Sequence, residues 1–225
     1  MAQLAYALIL WDWNGTLLDD ADFGVSIVNG LLRSRGLPER SREEHARLFD
    51  FPVIRYYERL GFDFNREPFE EISHDFVKSY YGSVQQCPLH GGAREVLSAL
   101  QEAGFRQAVL SATRQDLLEE MITLQGLKPY FECLLGIDSV HAPGKAGRGC
   151  DWLAETGMEP ARVLLVGDTM HDAEVARKMG IDCWLVTAGH HPEARLAEAG
   201  LPLFADLESV RTALLGPALE RTGTR

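Results

Sequence analysis

The chain has 225 residues, with 22 Lys plus Arg against 33 Asp plus Glu, a formal charge of −11. That length holds one large or two small domains around a sizeable core. Hydrophobic residues at 46% with charged residues at 24% exclude bulk disorder. The acidic balance excludes a general nucleic-acid or anionic-membrane binder, since either needs a positive surface. It leaves room for a small anionic substrate held by a local cluster of donors.

In chain order, the first apolar run, Leu4 to Trp11, is continuous, as in a strand covered on both faces. It is too short to span a membrane and has no basic region before it, as a secretory signal needs. It ends in the turn-forming group Asp12-Trp13-Asn14-Gly15-Thr16. Four helical patterns follow, Asp22–Arg35, Ser41–Phe49, Pro52–Leu60 and Glu67–Tyr81, broken at Gly36/Pro38, Pro52 and Gly61. After Pro88 helices and strands alternate: helix Gly91–Ala103, strand Phe105–Leu110, helix Arg114–Gln125, strand Phe131–Gly136 and helix Lys145–Thr156. Strand Arg162–Val166, helix His171–Met179, strand Cys183–Thr187, a short strand at Leu203–Ala205 and helix Leu207–Leu215 complete the series, before a tail expected to fray.

Alternation of this kind implies right-handed crossovers and a mainly parallel sheet with helices on both faces. The expected fold is therefore α/β: a Rossmann-like core over residues 1–18 and 88–225, with an inserted helical domain over 19–87. The cysteines Cys87, Cys133, Cys150 and Cys183 lie far apart with no CxxC pair, so reduced, mostly buried thiols in a cytoplasmic protein are expected.

In open parallel sheets, ligands sit beyond the carboxyl ends of the strands. There stand Asp12 after the first strand, Ser111 after the second, and Asp168 after the fourth with Asp172 one helical turn later. Lys145 precedes the helix leading into the fourth strand. Carboxylates held together at neutral pH need a cation, and an all-oxygen set suits Mg²⁺. With repulsion damped by the ion, a carboxylate can attack phosphorus and form an aspartyl-phosphate. Lys145, Ser111 and backbone N–H groups beyond it would hold the remaining phosphoryl oxygens. Each residue has a plainer use taken alone, Asp172 as a helix-start residue matching the dipole above all.

These residues resemble the motifs of the haloacid dehalogenase superfamily. Asp12-Trp13-Asn14-Gly15-Thr16-Leu17 resembles its first motif and Gly167-Asp168-Thr169-Met170-His171-Asp172 its fourth, while Ser111 fits the second and Lys145 the third. The stretch Pro88 to Thr113 resembles members of the phosphoglycolate-phosphatase kind, and the inserted helices resemble the family's type 1 cap. The resemblance implies a Mg²⁺-dependent phosphatase of a small phosphorylated metabolite, acting as a monomer or homodimer without a nucleic-acid or membrane partner. Asp12 would be the nucleophile. The Asn14 carbonyl, Asp12, Asp168 and Asp172 would serve the metal, and Ser111, Ala112 and Lys145 the phosphate. Arg55, just after the Phe51-Pro52 break, is the expected contact for the leaving group.

One position departs from the pattern. Phosphatases of this family carry Asp two places after the nucleophile, as general acid and then base, and an amide such as Asn14 cannot shuttle a proton. Such help is worth about 10²–10⁴-fold. The departure leaves four readings: slow turnover, a substrate with a good leaving group, a substitute such as His171, or a weakened relative that binds a phosphorylated ligand or a partner. A phosphomutase-like transferase is a further rival, poorer without an acid at position 14. Asn14→Asp is expected to gain rate on alkyl phosphates if proton transfer is what the chain lacks. Asn14-Gly15 is also the dipeptide most open to deamidation, which would create that acid. His190-His191 reads as a surface turn before Pro192, and Tyr56, Tyr57, Tyr80 and Tyr81 as packing among the inserted helices.

Overall fold

The computed structural model describes residues 6–138 and 144–216. β1 (Leu8–Trp11) is buried at every position, so each side chain must find apolar partners on its own face. Leu8 and Leu10 join a cluster with Trp152, Val175 and Met179. Ile9 and Trp11 face the opposite way, into a cluster with Val96, Leu97, Leu118 and Ile122. Each such side chain contributes roughly 1.5–3 kcal/mol on burial. The continuous apolar run is thus the central strand of a sheet with a core on both sides.

The sheet is six-stranded and parallel, in the order β3-β2-β1-β4-β5-β6. Its other strands are β2 (Arg106–Arg114), β3 (Leu134–Ile137), β4 (Val163–Gly167), β5 (Asp182–Val186) and β6 (Leu203–Phe204). β1 lies between β2 and β4, with Trp11 level with Val109 on one side and Val166 on the other. The chain first builds outward from β1 to β3 and then returns to β4. The crevice between β1 and β4 is therefore the switch point where such sheets bind ligands.

Between β1 and β2 lie α1 (Ala21–Ser34), α2 (Arg42–Leu48), α3 (Val53–Leu60), α4 (Phe69–Tyr81) and α5 (Ala93–Glu102). The first four share a separate apolar cluster of Val28, Leu32, Tyr56, Tyr57, Leu60, Phe62 and Ile72. The remaining helices are α6 (Gln115–Leu124), α7 (Gly144–Thr156), α8 (Met170–Met179), α9 (Glu193–Leu196) and α10 (Leu207–Leu215). The expected α/β class with helices inserted after the first strand is what the chain adopts. The two passages joining inserted helices to sheet run side by side, with the Asp19 N–H bonded to the Pro88 carbonyl (2.9 Å) and the His90 N–H to that of Leu17 (2.9 Å).

Some elements differ from expectation. β2 continues to Arg114 through a shift of register against β3, so Ser111 lies inside the strand. α9 is a single turn, too short to leave a periodic signal. Of the expected first strand, Tyr6 and Ala7 lie before β1, while Leu4 and Ala5, like the segment before Gly144 and the tail after Gly216, lie outside the described residues. All four cysteines are free, with Cys87 and Cys183 buried, Cys133 half-buried and Cys150 exposed. Among the described residues, no helix is long and apolar enough to cross a membrane.

Candidate active site

β1 and β4 deliver Asp12 and Asp168 side by side because their strands are in register up to the last residue. The Asp12 N–H still bonds the Val166 carbonyl (2.9 Å), extending the ladder one step past β1. Asp172 arrives on the first turn of α8, whose start is fixed by a reciprocal cap. The Thr169 hydroxyl accepts from the Asp172 N–H, and Asp172 accepts in return from the Thr169 N–H (3.0 Å). Its Oδ2 also accepts from the Thr169 hydroxyl (2.6 Å), so one carboxylate oxygen is spent on the helix start. The other faces Lys145. Asp172 thus caps its own helix start with one oxygen and meets Lys145 with the other.

Oxygens of Asp12, Asp168 and Asp172 lie within 4.8 Å of one another, and all three residues are buried. Lys145, on the first turn of α7, donates to Asp12 (2.5 Å) and to Asp172 and is itself only 3% exposed. Burial alone would strip the Lys145 proton, but Asp12 and Asp172 outweigh it and hold the ammonium charged. Burial pushes the Asp12 carboxyl well up; Lys145 pulls it back, while Asp172 and Asp168 push it up again. Asp168 is held below its ordinary range: burial opposes this, but His190 and Thr16 hydrogen bonds prevail. Thr16 donates to its Oδ1 (2.9 Å), and the His190 N–H (2.7 Å) and ring Nδ1 (2.9 Å) meet its Oδ2.

His190 corrects the sequence reading of His190-His191 as a surface turn. Both lie in the loop after β5, on the same rim as the other strand ends. Burial works against a charge on His190, but Asp168, then Asp20 and Asp12, lift its pKa to about 9. His191 is buried with its Nδ1 accepting from the Met170 N–H (3.0 Å), which leaves Nε2–H to donate to the Phe49 carbonyl (3.1 Å). Its burial, with Arg195 nearby, lowers its pKa to about 4 and keeps it neutral. Glycine is required where the backbone crowds these groups. At Gly15, where φ is +73°, a Cβ would fall 2.1 Å from His190 Nδ1 and 2.3 Å from Asp168 Oδ2.

Position 14 carries a second surprise. The Asn14 amide is fully used: Nδ2 donates to Asp20 Oδ2 (2.9 Å) and to the Tyr80 hydroxyl (2.7 Å), while Oδ1 accepts from Thr113 (2.7 Å). Tyr80 in turn donates to Asp20, so it does more than pack helices. The Gly15 N–H is bonded to Leu18 O (2.9 Å) and Asp20 Oδ1 (2.8 Å). Deamidation needs that nitrogen to attack the Asn14 side chain, and both partners are tied down, so the fold opposes it. An acid at 14 would face the Asp20 carboxylate at hydrogen-bond distance.

Ser111 is buried at the site rim with its Oγ accepting from the Thr113 N–H (3.1 Å), and Ala112 between them is exposed. The Arg55 side chain is exposed on α3 and makes no hydrogen bond or ion pair among the described residues. His171 does reach the rim, where Phe51 stacks on it at 4.4 Å between ring centres. Arg42, Arg195 and the Phe49–Phe51 segment supply contacts between inserted helices and rim. Arg42 donates to the Gly189 carbonyl (2.7 Å), and Arg195 holds Asp50 (2.9 Å) and the Phe49 carbonyl. Sequence reasoning missed Thr16, Asp20, Tyr80, Thr113 and His190. His190 was findable, since it follows a fifth strand ending on the same rim.

Can this set take a cation? Asp12, Asp168 and Asp172 bring three buried carboxyl groups to one point, with an oxygen of each within 4.8 Å of the others. Hard oxygen donors clustered in this way fit a divalent ion. A buried acidic cluster at the switch point of a parallel sheet is the arrangement of a Rossmann-like α/β protein with a ligand site at its strand ends. The haloacid dehalogenase-like hydrolase model matches residues 9–186, and the chain belongs to that family. It is 27% identical over 194 residues to a phosphoglycolate phosphatase from Caulobacter vibrioides, covering 83% of this chain and 81% of that protein. It is 26% identical over 217 residues to an N-acetylmuramic acid 6-phosphate phosphatase from Pseudomonas aeruginosa, covering 92% and 93%. A haloacid dehalogenase-like hydrolase from Streptococcus pneumoniae superposes with a TM-score of 0.80 at 18% identity, over 92% of this chain and 97% of that one.

Proposed function

We propose that the chain is a Mg²⁺-dependent phosphatase of small phosphorylated metabolites, of the phosphoglycolate-phosphatase kind, with Asp12 as nucleophile. The observation that carries this reading is the buried trio Asp12, Asp168 and Asp172 with Lys145 wedged between two of them. Asp12, Asp168 and the Asn14 carbonyl would hold the ion, with Asp172 in support. When bound, the ion would neutralise charge on the carboxylates and the phosphoryl oxygens.

The residues divide the work. An Asp12 oxygen attacks phosphorus, the bond to the leaving oxygen breaks, and the phosphoryl group rests on Asp12 until water releases it as phosphate. Lys145 orients Asp12 and, with Ser111 and the Ala112 backbone, binds phosphoryl oxygens. Residues 19–87 act as a cap over the rim of the core formed by 1–18 and 88–225. The passages at 18–20 and 86–88 serve as its hinges, and closure excludes water.

A second reading concerns the leaving group. The Asn14 amide has no proton to give and is bonded on every side, which favours activated substrates such as acyl or aryl phosphates. A panel of alkyl phosphates, aryl phosphates and acetyl phosphate, with and without Mg²⁺, tests both. Release of phosphate that requires Mg²⁺ and falls by at least about 10³-fold in Asp12→Asn supports the phosphatase. Release from activated members alone selects the second reading. No release from any member leaves a phosphoryl-ligand binder.

A further inference from the structure

Asp20 occupies the N-cap position of α1, where an aspartate ordinarily accepts from its own helix and contributes about 1 kcal/mol. Its side chain makes no such bond. It is 3% exposed and turned back toward the nucleophile turn instead. There Oδ1 accepts from the Gly15 N–H (2.8 Å), and Oδ2 accepts from Asn14 Nδ2 (2.9 Å) and the Tyr80 hydroxyl. Three donors from three residues converge on one carboxylate. The Asn14 amide has only one orientation that fits, because the Asp20 carboxylate can only accept and so takes the NH₂ side, while the Thr113 hydroxyl donates to the oxygen on the far side (2.7 Å).

We propose that Asn14 and Asp20 are a matched positioning pair, in which the carboxylate at 20 demands an amide at 14 and together they set the turn that carries Asp12. The inference rests on the phosphatase reading for its kinetic half. Replacing Asn14 by Asp sets two carboxylates against each other at hydrogen-bond distance. Replacing Asp20 by Asn offers an NH₂ to at least one of the three donors now satisfied. The exchange Asn14→Asp with Asp20→Asn restores one acid and one amide across the same contact.

A double-mutant cycle tests this, with Tm read without added ion, and kcat and KM read on 4-nitrophenyl phosphate with Mg²⁺. Each single variant is expected to lower Tm and to lower kcat by roughly tenfold or more with KM little changed. The double variant is expected to recover most of both. Additive losses, or a faster Asn14→Asp enzyme, overturn the pair. If the native chain hydrolyses nothing, the phosphatase reading fails, and the Tm cycle still decides the pair: recovery supports it and additivity overturns it.

Discussion

Lys145 shows what a single buried charge does here. It is enclosed by two carboxylates that have no other cation in direct contact among the described residues. Lys145→Met keeps the length and removes the charge, leaving Asp12 and Asp172 uncompensated. Breaking such a pair costs about 3–5 kcal/mol, which for a chain of this size lowers Tm by roughly 6–20 °C. Thermal melts should show that drop, and Mg²⁺ should recover part of it by supplying the missing charge. A variant that melts with the native protein would mean the carboxylates are solvated or protonated already. Gly15 is the complementary case, where the decisive feature is an absent side chain. His190 and Asp168 fill the space a Cβ would need.

At the level of elements, short helices of the inserted block are made firm by local chemistry. α2 begins with Ser41 and Glu44 bonding each other's backbone, and its His45 is buried against the Tyr56 hydroxyl and Asn29 Oδ1 (3.1 Å). Burial, reinforced by Arg42, lowers the His45 pKa from 6.5 to about 4. The folded protein therefore binds this proton less readily than the unfolded chain does. Stability from His45 is whole above pH 6.5 and is lost as pH falls from 6.5 through about 4. His191, lowered to about 4 from the same ordinary value, adds a loss of the same sign. Tm measured from pH 7 to pH 4 should fall more steeply in the native protein than in His45→Gln. Parallel curves would show that the imidazole does not carry the effect.

Over the molecule as a whole, the Phe49–Asp50 segment is one of the places where the inserted helices meet the sheet rim. Phe49 lies 5.2 Å from the His190 ring, its carbonyl accepts from His191 and Arg195, and Asp50 pairs with Arg195. Arg195 is the partner most easily removed without touching the carboxylates. Arg195→Ala should speed amide exchange over residues 49–60 about 5–10-fold while β1 and β4 keep their protection. If exchange over 49–60 is unchanged, the ring contacts hold this face and the guanidinium is dispensable.

Much of this architecture was legible in residue order. An apolar octet, a helical block and then alternating elements dictate a parallel sheet, because burial on both faces leaves no other use for Leu8 to Trp11. The strand-end rule then brings Asp12, Asp168, Asp172 and Lys145 to one rim before any coordinate is known, since they follow strands and helices of readable period. What stayed hidden depends on directions that no periodicity encodes. Nothing local says that Asp20 abandons its own helix for Asn14, that Tyr80 reaches it from sixty residues away, or that His190 folds inward over Gly15. Nor could spacing show that Arg55 points to solvent while Arg42 and Arg195 grip the rim. Backbone pattern follows from side chains near in sequence, whereas hydrogen-bond partners are chosen among groups that meet only after the chain has packed.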